Sequence, residues 1–129
     1  MNYRSTRSTG AESVSAAVAI KNGLAPDGGL YMPERIPTLT AEDLTALSAM
    51  SYPERAAKIL SMYLSDYTEA ELLEDCHAAY AAEKFPGGAA PIVKIDDNVY
   101  SLELWHGPTS AFKDMALQIM PRLDRKSVV

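Results

Sequence analysis

Cysteine and histidine are scarce in this chain of 129 residues, with one thiol, Cys76, and two imidazoles, His77 and His106. A lone cysteine forms no internal disulfide and fits a reducing compartment, where its ordinary place is as a small core side chain. Cys76 and His77 would project about 100 degrees apart on a helix, and no second ligand pair accompanies them, so the paired spacing of a zinc site is missing. Positive charge is also in deficit: 12 Lys and Arg stand against 17 Asp and Glu, for a net charge of -5 and a pI near 4.9. Phosphate backbones are held through clustered Lys and Arg, so this balance argues against a nucleic-acid partner, and only the first seven residues are basic. Long apolar runs are missing as well. None approaches the roughly 20 residues of a bilayer-crossing helix, which argues against a membrane partner, and Met1 to Arg7 lacks the apolar centre of a secretory signal. With 47% hydrophobic and 22% charged residues, the composition is that of a folded domain, and a cytoplasmic location is the simplest expectation.

The glycines carry no phosphate-binding pattern. Pro26-Asp27-Gly28-Gly29 is followed neither by the spaced glycines of a dinucleotide fold nor by Gly-Lys-Ser/Thr, so it is read as a turn. Ahead of it, Val14, Ala17 and Val18 share a face and predict a helix from about Ser13 to Asn22, stopped by Gly23. Leu30-Tyr31-Met32 reads as a short extended piece ended by Pro33. Thr40 with Asp43, Ser51 with Glu54, and Thr68 with Glu71 each give a capping box and so mark three helix starts. Ala56, Leu60, Tyr63 and Leu64 form an apolar stripe in the second of these helices, and Leu72, Leu73, Cys76, Ala79 and Tyr80 form one in the third. The acids Glu69, Glu71, Glu74 and Asp75 suit the positive end of that last helix.

Pro86-Gly87-Gly88 breaks the helical pattern and predicts a boundary between residues 1–88 and residues 89–129. Beyond it the period becomes two. Ile92 to Ile95 and Val99 to Trp105 read as strands joined across Asp96-Asp97-Asn98, with Tyr100, Leu102 and Leu104 on a half-buried face. The hairpin leads into His106-Gly107-Pro108, after which Thr109 or Ser110 caps a helix whose apolar face is Phe112, Ala116, Ile119, Met120 and Leu123. Pro121 would end or kink that helix. At its start stands Lys113, an amine placed where a tight turn and an apolar helix would partly desolvate it and lower its pKa, as suits a nucleophile or base.

The run His106-Gly107-Pro108-Thr109-Ser110-Ala111-Phe112-Lys113-Asp114 resembles the cofactor-lysine motif of the threonine synthases, enzymes that use pyridoxal 5'-phosphate (PLP). Tyr3-Arg4-Ser5-Thr6-Arg7 and Gly23-Leu24-Ala25-Pro26-Asp27-Gly28-Gly29-Leu30-Tyr31-Met32-Pro33 resemble two further blocks of the same family, in the same order, so the resemblance runs from about residue 3 to about residue 123. It implies an α/β PLP enzyme of fold type II, of which this mostly helical chain with its β-hairpin and lysine helix is the amino-terminal portion. It implies that Lys113 holds PLP and afterwards moves protons, and that O-phosphohomoserine and water become threonine and phosphate. Family members are much longer, so the chain is read as a fragment, inactive alone, whose apolar face around Phe112 favours self-association. Two alternatives stand beside this: a truncated, non-catalytic or partner-binding product, and another PLP lyase of the same fold.

Other residues have two readings each. Thr109 is a helix cap or a cofactor contact. Phe112 is a wall beside the cofactor or a core side chain. Arg7, with Ser5 and Thr6, binds a substrate carboxylate or phosphate, or belongs to an arm packed on its own domain. His106 is a general acid or a turn residue bonded to nearby backbone, the commoner role. Asp114, pointing away from the lysine, is expected to stabilise the helix start.

Overall fold

The computed structural model describes residues 1–125; Lys126 to Val129, the end of the motif-free tail, lie outside the described residues. The first strand, β1 (Tyr3–Ser5), pairs antiparallel with β2 (Tyr31–Pro33) in the register Tyr3 to Pro33, Arg4 to Met32 and Ser5 to Tyr31. Between them lies α1 (Ala16–Asn22), capped by the Ser15 hydroxyl and closed by Gly23. The helix is shorter than its predicted span, and its inward side differs: Ala16 and Ala19 are buried, whereas Val18 is exposed.

All three capping boxes form. They open α2 (Ala41–Ser48), α3 (Tyr52–Tyr63) and α4 (Glu69–Ala79), with each acid accepting from the backbone N–H of its cap residue. A cap of this kind contributes about 1 kcal/mol to its helix. Helices α3 and α4 pack along each other, and Leu72, Cys76 and Ala79, spaced by four and three residues, put one face of α4 entirely inside. Leu73, assigned to the same stripe, faces outward instead.

The second sheet is the hairpin of β3 (Ile92–Asp96) and β4 (Val99–Leu102), joined through Asp97 and through Asn98 in a left-handed conformation. Of the predicted half-buried face only Leu104 is half-buried; Tyr100 and Leu102 are more than half exposed, and every residue of β3 is exposed. Two strands bury little surface unless another layer covers them. The helix expected after Thr109 is divided into α5 (Asp114–Leu117) and α6 (Met120–Asp124). Pro121 falls within the first two residues of α6, where its missing N–H costs nothing. Of the predicted apolar face, Ile119 and Leu123 are buried, whereas Phe112, Ala116 and Met120 are exposed.

Ile119 and Leu123 join Ala16, Ala57, Leu64, Tyr67, Leu72, Cys76 and Ala79 in one core cluster, so the core draws on residues from both sides of Gly88. Two tyrosines fasten the pieces: the Tyr67 hydroxyl donates to the Leu123 carbonyl at 2.8 Å, and the Tyr80 hydroxyl to the Met115 carbonyl at 2.9 Å. Phe85, which no periodicity marked, is 1% exposed and packs against Tyr80, just before the glycine pair. Among the described residues no helix is long and apolar enough to cross a membrane.

Burial pushes the Cys76 thiol from its ordinary 9.0 up to about 11, with Asp75 adding to the effect. The fold therefore retains a proton that the unfolded chain releases, so this contribution to stability is complete below pH 9 and is lost as pH rises towards 11. Denaturant midpoints measured across that interval should fall with pH, and Cys76→Ala should flatten part of the slope. Equal slopes in the two proteins would show that Cys76 ionises alike in both states.

Candidate functional site

Two groups of residues singled out in the sequence are built differently. The first is a knot between the amino-terminal arm and the loop after α1. The Ser5 hydroxyl donates to Asp27 Oδ1 at 2.6 Å and accepts from the Arg7 N–H at 3.1 Å. Asp27 Oδ1 also accepts from the Gly29 N–H at 2.9 Å, and Thr6 and Leu30 exchange bonds between Thr6 N–H, Thr6 Oγ1 and the Leu30 backbone. Arg7 Nη1 reaches the Asp27 carbonyl at 3.3 Å. A side chain at Gly29 would begin 2.0 Å from Ser5 Oγ, so the approach of arm to loop requires glycine there. Ser5, Thr6 and Arg7 thus lie together as an arm on its own domain. The adjacent groove, of about 280 Å³, is lined by residues between Tyr3 and Tyr31 and by none from the lysine turn.

The second group is the turn ahead of α5. The His106 ring stacks on Trp105, places Nε2 2.7 Å from Glu103 Oε2, and lies against Gly87. Its partner is therefore a carboxylate and not the nearby backbone expected for it. The chain then closes on itself, with the Ser110 N–H donating to the Gly107 carbonyl at 3.0 Å and Ser110 held at a φ of 56°. Neither Thr109 nor Ser110 caps α5, which starts at Asp114 with no side-chain cap. Thr109 instead binds Asp114 twice, its N–H donating to Oδ2 at 2.8 Å and its hydroxyl to Oδ1 at 2.9 Å. Asp114 stands in the first turn of α5, as expected, and is the one fully buried charged residue among those described. The α-helical spacing correctly separates it from Lys113, but the lysine is the one that faces water.

Lys113 is exposed; its carbonyl accepts from the Ala116 and Leu117 N–H groups, whereas its amine makes no hydrogen bond or ion pair among the described residues, and Phe112 beside it is 66% exposed. The apolar surroundings expected to desolvate the amine are not contributed by residues 1–125. No group of three or more His, Cys, Asp or Glu able to hold a metal occurs among the described residues. A groove of about 600 Å³ opens near the turn, between Tyr52 and Arg55 of α3, Ala89 to Ile92, Leu102, Leu104 and Met115. Nothing in the sequence signalled it, because its walls come from four separate stretches.

A family described as "Threonine synthase N terminus" matches residues 2–80. The threonine synthase of Methylobacillus glycogenes is 39% identical over 95% of the chain, and the match takes up 27% of that protein. The crystal structure of the PLP-bound threonine synthase from Brucella melitensis superposes with a TM-score of 0.89 at 38% identity, covering 99% of this chain and 27% of that one. The yeast threonine synthase structure gives 0.86 at 36% identity, over 95% of this chain and 25% of that one. The chain thus spans about a quarter of the length of these relatives. Fold and site define a class of mixed α/β proteins in which a helical amino-terminal unit leads to an exposed lysine on a hydrogen-bonded turn. Within it, the chain belongs to the threonine synthase family.

The Ser5 hydroxyl, then the Gly29 amide, hold the Asp27 carboxyl below its ordinary 3.8, with Arg7 adding a smaller effect. Because the folded pKa is depressed, the linked stability is present above 3.8 and disappears as pH falls through the folded value. Ser5→Ala removes the largest cause, so the Asp27 titration followed by NMR should move up towards the ordinary value. An unmoved titration would show that the arm does not control this carboxylate.

Proposed function

We propose that this chain is the amino-terminal portion of a cytoplasmic threonine synthase, the PLP enzyme that converts O-phospho-L-homoserine and water to L-threonine and phosphate. The observation that carries this reading is the exposed, unpaired Lys113 amine on a turn whose backbone is bound to a buried carboxylate. Family membership supports it. The complete enzyme would have the α/β fold of type II, with residues 1–88 as a helical domain and residues 89–129 opening the cofactor domain.

The residues present fit the aldehyde end of PLP, since a free primary amine on an ordered turn is the group required to hold it. When bound, the cofactor supplies an electron sink for substrate carbanion chemistry. Lys113 would hold it and, once freed, take and return a proton at Nζ, which its flexible four-carbon stem allows. Phe112, exposed next to the amine, offers an apolar ring as a wall against water. Thr109 has its hydroxyl proton committed to Asp114, so only its oxygen remains to accept a bond from the cofactor. Arg7, with one bond to the Asp27 carbonyl, keeps further guanidinium donors for a substrate carboxylate or phosphate, while Ser5 and Thr6 orient the arm that carries it.

Borohydride reduction of the PLP-loaded full-length protein, followed by peptide mapping, should place the label on Lys113. A label on Lys21, Lys58, Lys84 or Lys94 instead would sink the assignment. Lys113→Ala should abolish turnover while far-ultraviolet circular dichroism stays unchanged, because the exposed side chain contributes little to the core.

A second reading concerns the 129 residues alone, and the exposed apolar surface of Ile92, Ile95, Tyr100, Leu102 and Phe112 favours it. By itself the chain would be non-catalytic and self-associating, since useful PLP chemistry also requires walls that exclude water and such surface seeks a partner. Purified chain with added PLP should release no phosphate from O-phosphohomoserine, and its sedimentation coefficient should rise with concentration. Lys113-dependent release of phosphate would overturn this.

A further inference from the structure

The position of the Lys113 amine depends on the residue that follows it. Asp114 is fully buried, and a carboxylate out of water is tolerated only where its oxygens are hydrogen-bonded. Both of its side-chain bonds go to one residue five positions back, Oδ2 to the Thr109 N–H at 2.8 Å and Oδ1 to the Thr109 hydroxyl at 2.9 Å. Its own N–H donates to the Ala111 carbonyl at 3.0 Å. The six residues from Thr109 to Asp114 are therefore a loop closed by a single carboxylate, and Lys113 is the last residue before the closure.

Little else steadies the lysine. Its side chain and that of Phe112 are exposed, so the place of the amine follows from the backbone beneath it. Gly107 completes the arrangement: a Cβ there would lie 2.5 Å from Asp114 Cβ and 2.6 Å from Oδ2, leaving no room for a side chain. We infer that Asp114 is a positioning residue for Lys113, its buried carboxylate locking Thr109 to the start of α5 over a space kept open by Gly107. This rests on the reading of Lys113 as the cofactor lysine.

The chemistry of the clamp predicts a graded series. Asp114→Asn keeps an oxygen for the Thr109 N–H and turns a donor towards the Thr109 hydroxyl oxygen, so the geometry survives. Asp114→Ala removes both bonds. Gly107→Ala leaves every polar group in place and displaces the carboxylate by bulk alone.

Amide hydrogen exchange in the 129-residue chain reads the clamp without any cofactor. Exchange at Thr109 should be about tenfold or more faster in D114A and G107A, and within about twofold of the unsubstituted chain in D114N. In the PLP-loaded full-length protein, circular dichroism of the bound chromophore should be lost in D114A and G107A and retained in D114N. Tyr80→Phe, which removes a different tertiary bond, should lower the melting temperature and leave that signal unchanged. Should D114A fail to fold, G107A and D114N still decide the matter. Thr109 exchange unchanged in G107A, or a chromophore signal that falls equally in Y80F, would overturn the inference. A borohydride label away from Lys113 in the unsubstituted protein would instead refute the cofactor reading, and Thr109 exchange would still report whether Asp114 fixes the turn.

Discussion

A carboxylate sealed from water has to find its hydrogen bonds inside the protein, and Asp114 finds both on Thr109. Leaving such a group unpaired costs about 1–3 kcal/mol, and more when it is charged. That penalty makes the turn between Gly107 and Asp114 a defined structure although it is neither helix nor strand. It also accounts for the division of labour between two adjacent residues: the acid is spent on holding the backbone, and the lysine is left free to meet solvent.

The two short helices after the turn are anchored by the helical unit. The Tyr80 hydroxyl bonds the Met115 carbonyl in α5, and the Tyr67 hydroxyl bonds the Leu123 carbonyl in α6. Burial raises the pKa of both phenols, with Tyr67 pushed up to about 12, so these donors keep their protons throughout the neutral range. Arg122 adds an ion pair to Asp75 at 3.3 Å. Lys113 is thus carried on short elements that would be marginal alone and are ordered by the α3–α4 pair.

At the other end, Asp27 does for the amino-terminal arm what Asp114 does for the lysine turn. One carboxylate gathers the Ser5 hydroxyl, 22 positions away, and the Gly29 amide and sits beside Arg7, which joins two family blocks. Asp27 is exposed and its bonds compete with water, whereas those of Asp114 do not. The arm is accordingly the more readily loosened of the two, a useful property if Arg7 is to meet a ligand.

Local chemistry was legible in the residues themselves. Three capping boxes, the Gly23 stop, the Asp97-Asn98 turn and the place of Lys113 follow from interactions within about five residues, which a linear pattern contains. The family blocks added the likeness that the comparisons bear out. What the pattern could not hold is which side of each element meets another. Tyr100 and Leu102 alternate as a buried face should, yet both are more than half exposed; Val18 has the right period and the wrong direction. Asp114 reads as a helix-start acid and stands at the start of α5, but its burial was not legible, because it is created by Gly107, Thr109 and the packing of α5 together. Sequence by itself determined where the elements begin and which residue offers the amine. Only the tertiary structure decided what holds that amine in place, since desolvation is a property of neighbours brought together and not of residues in order.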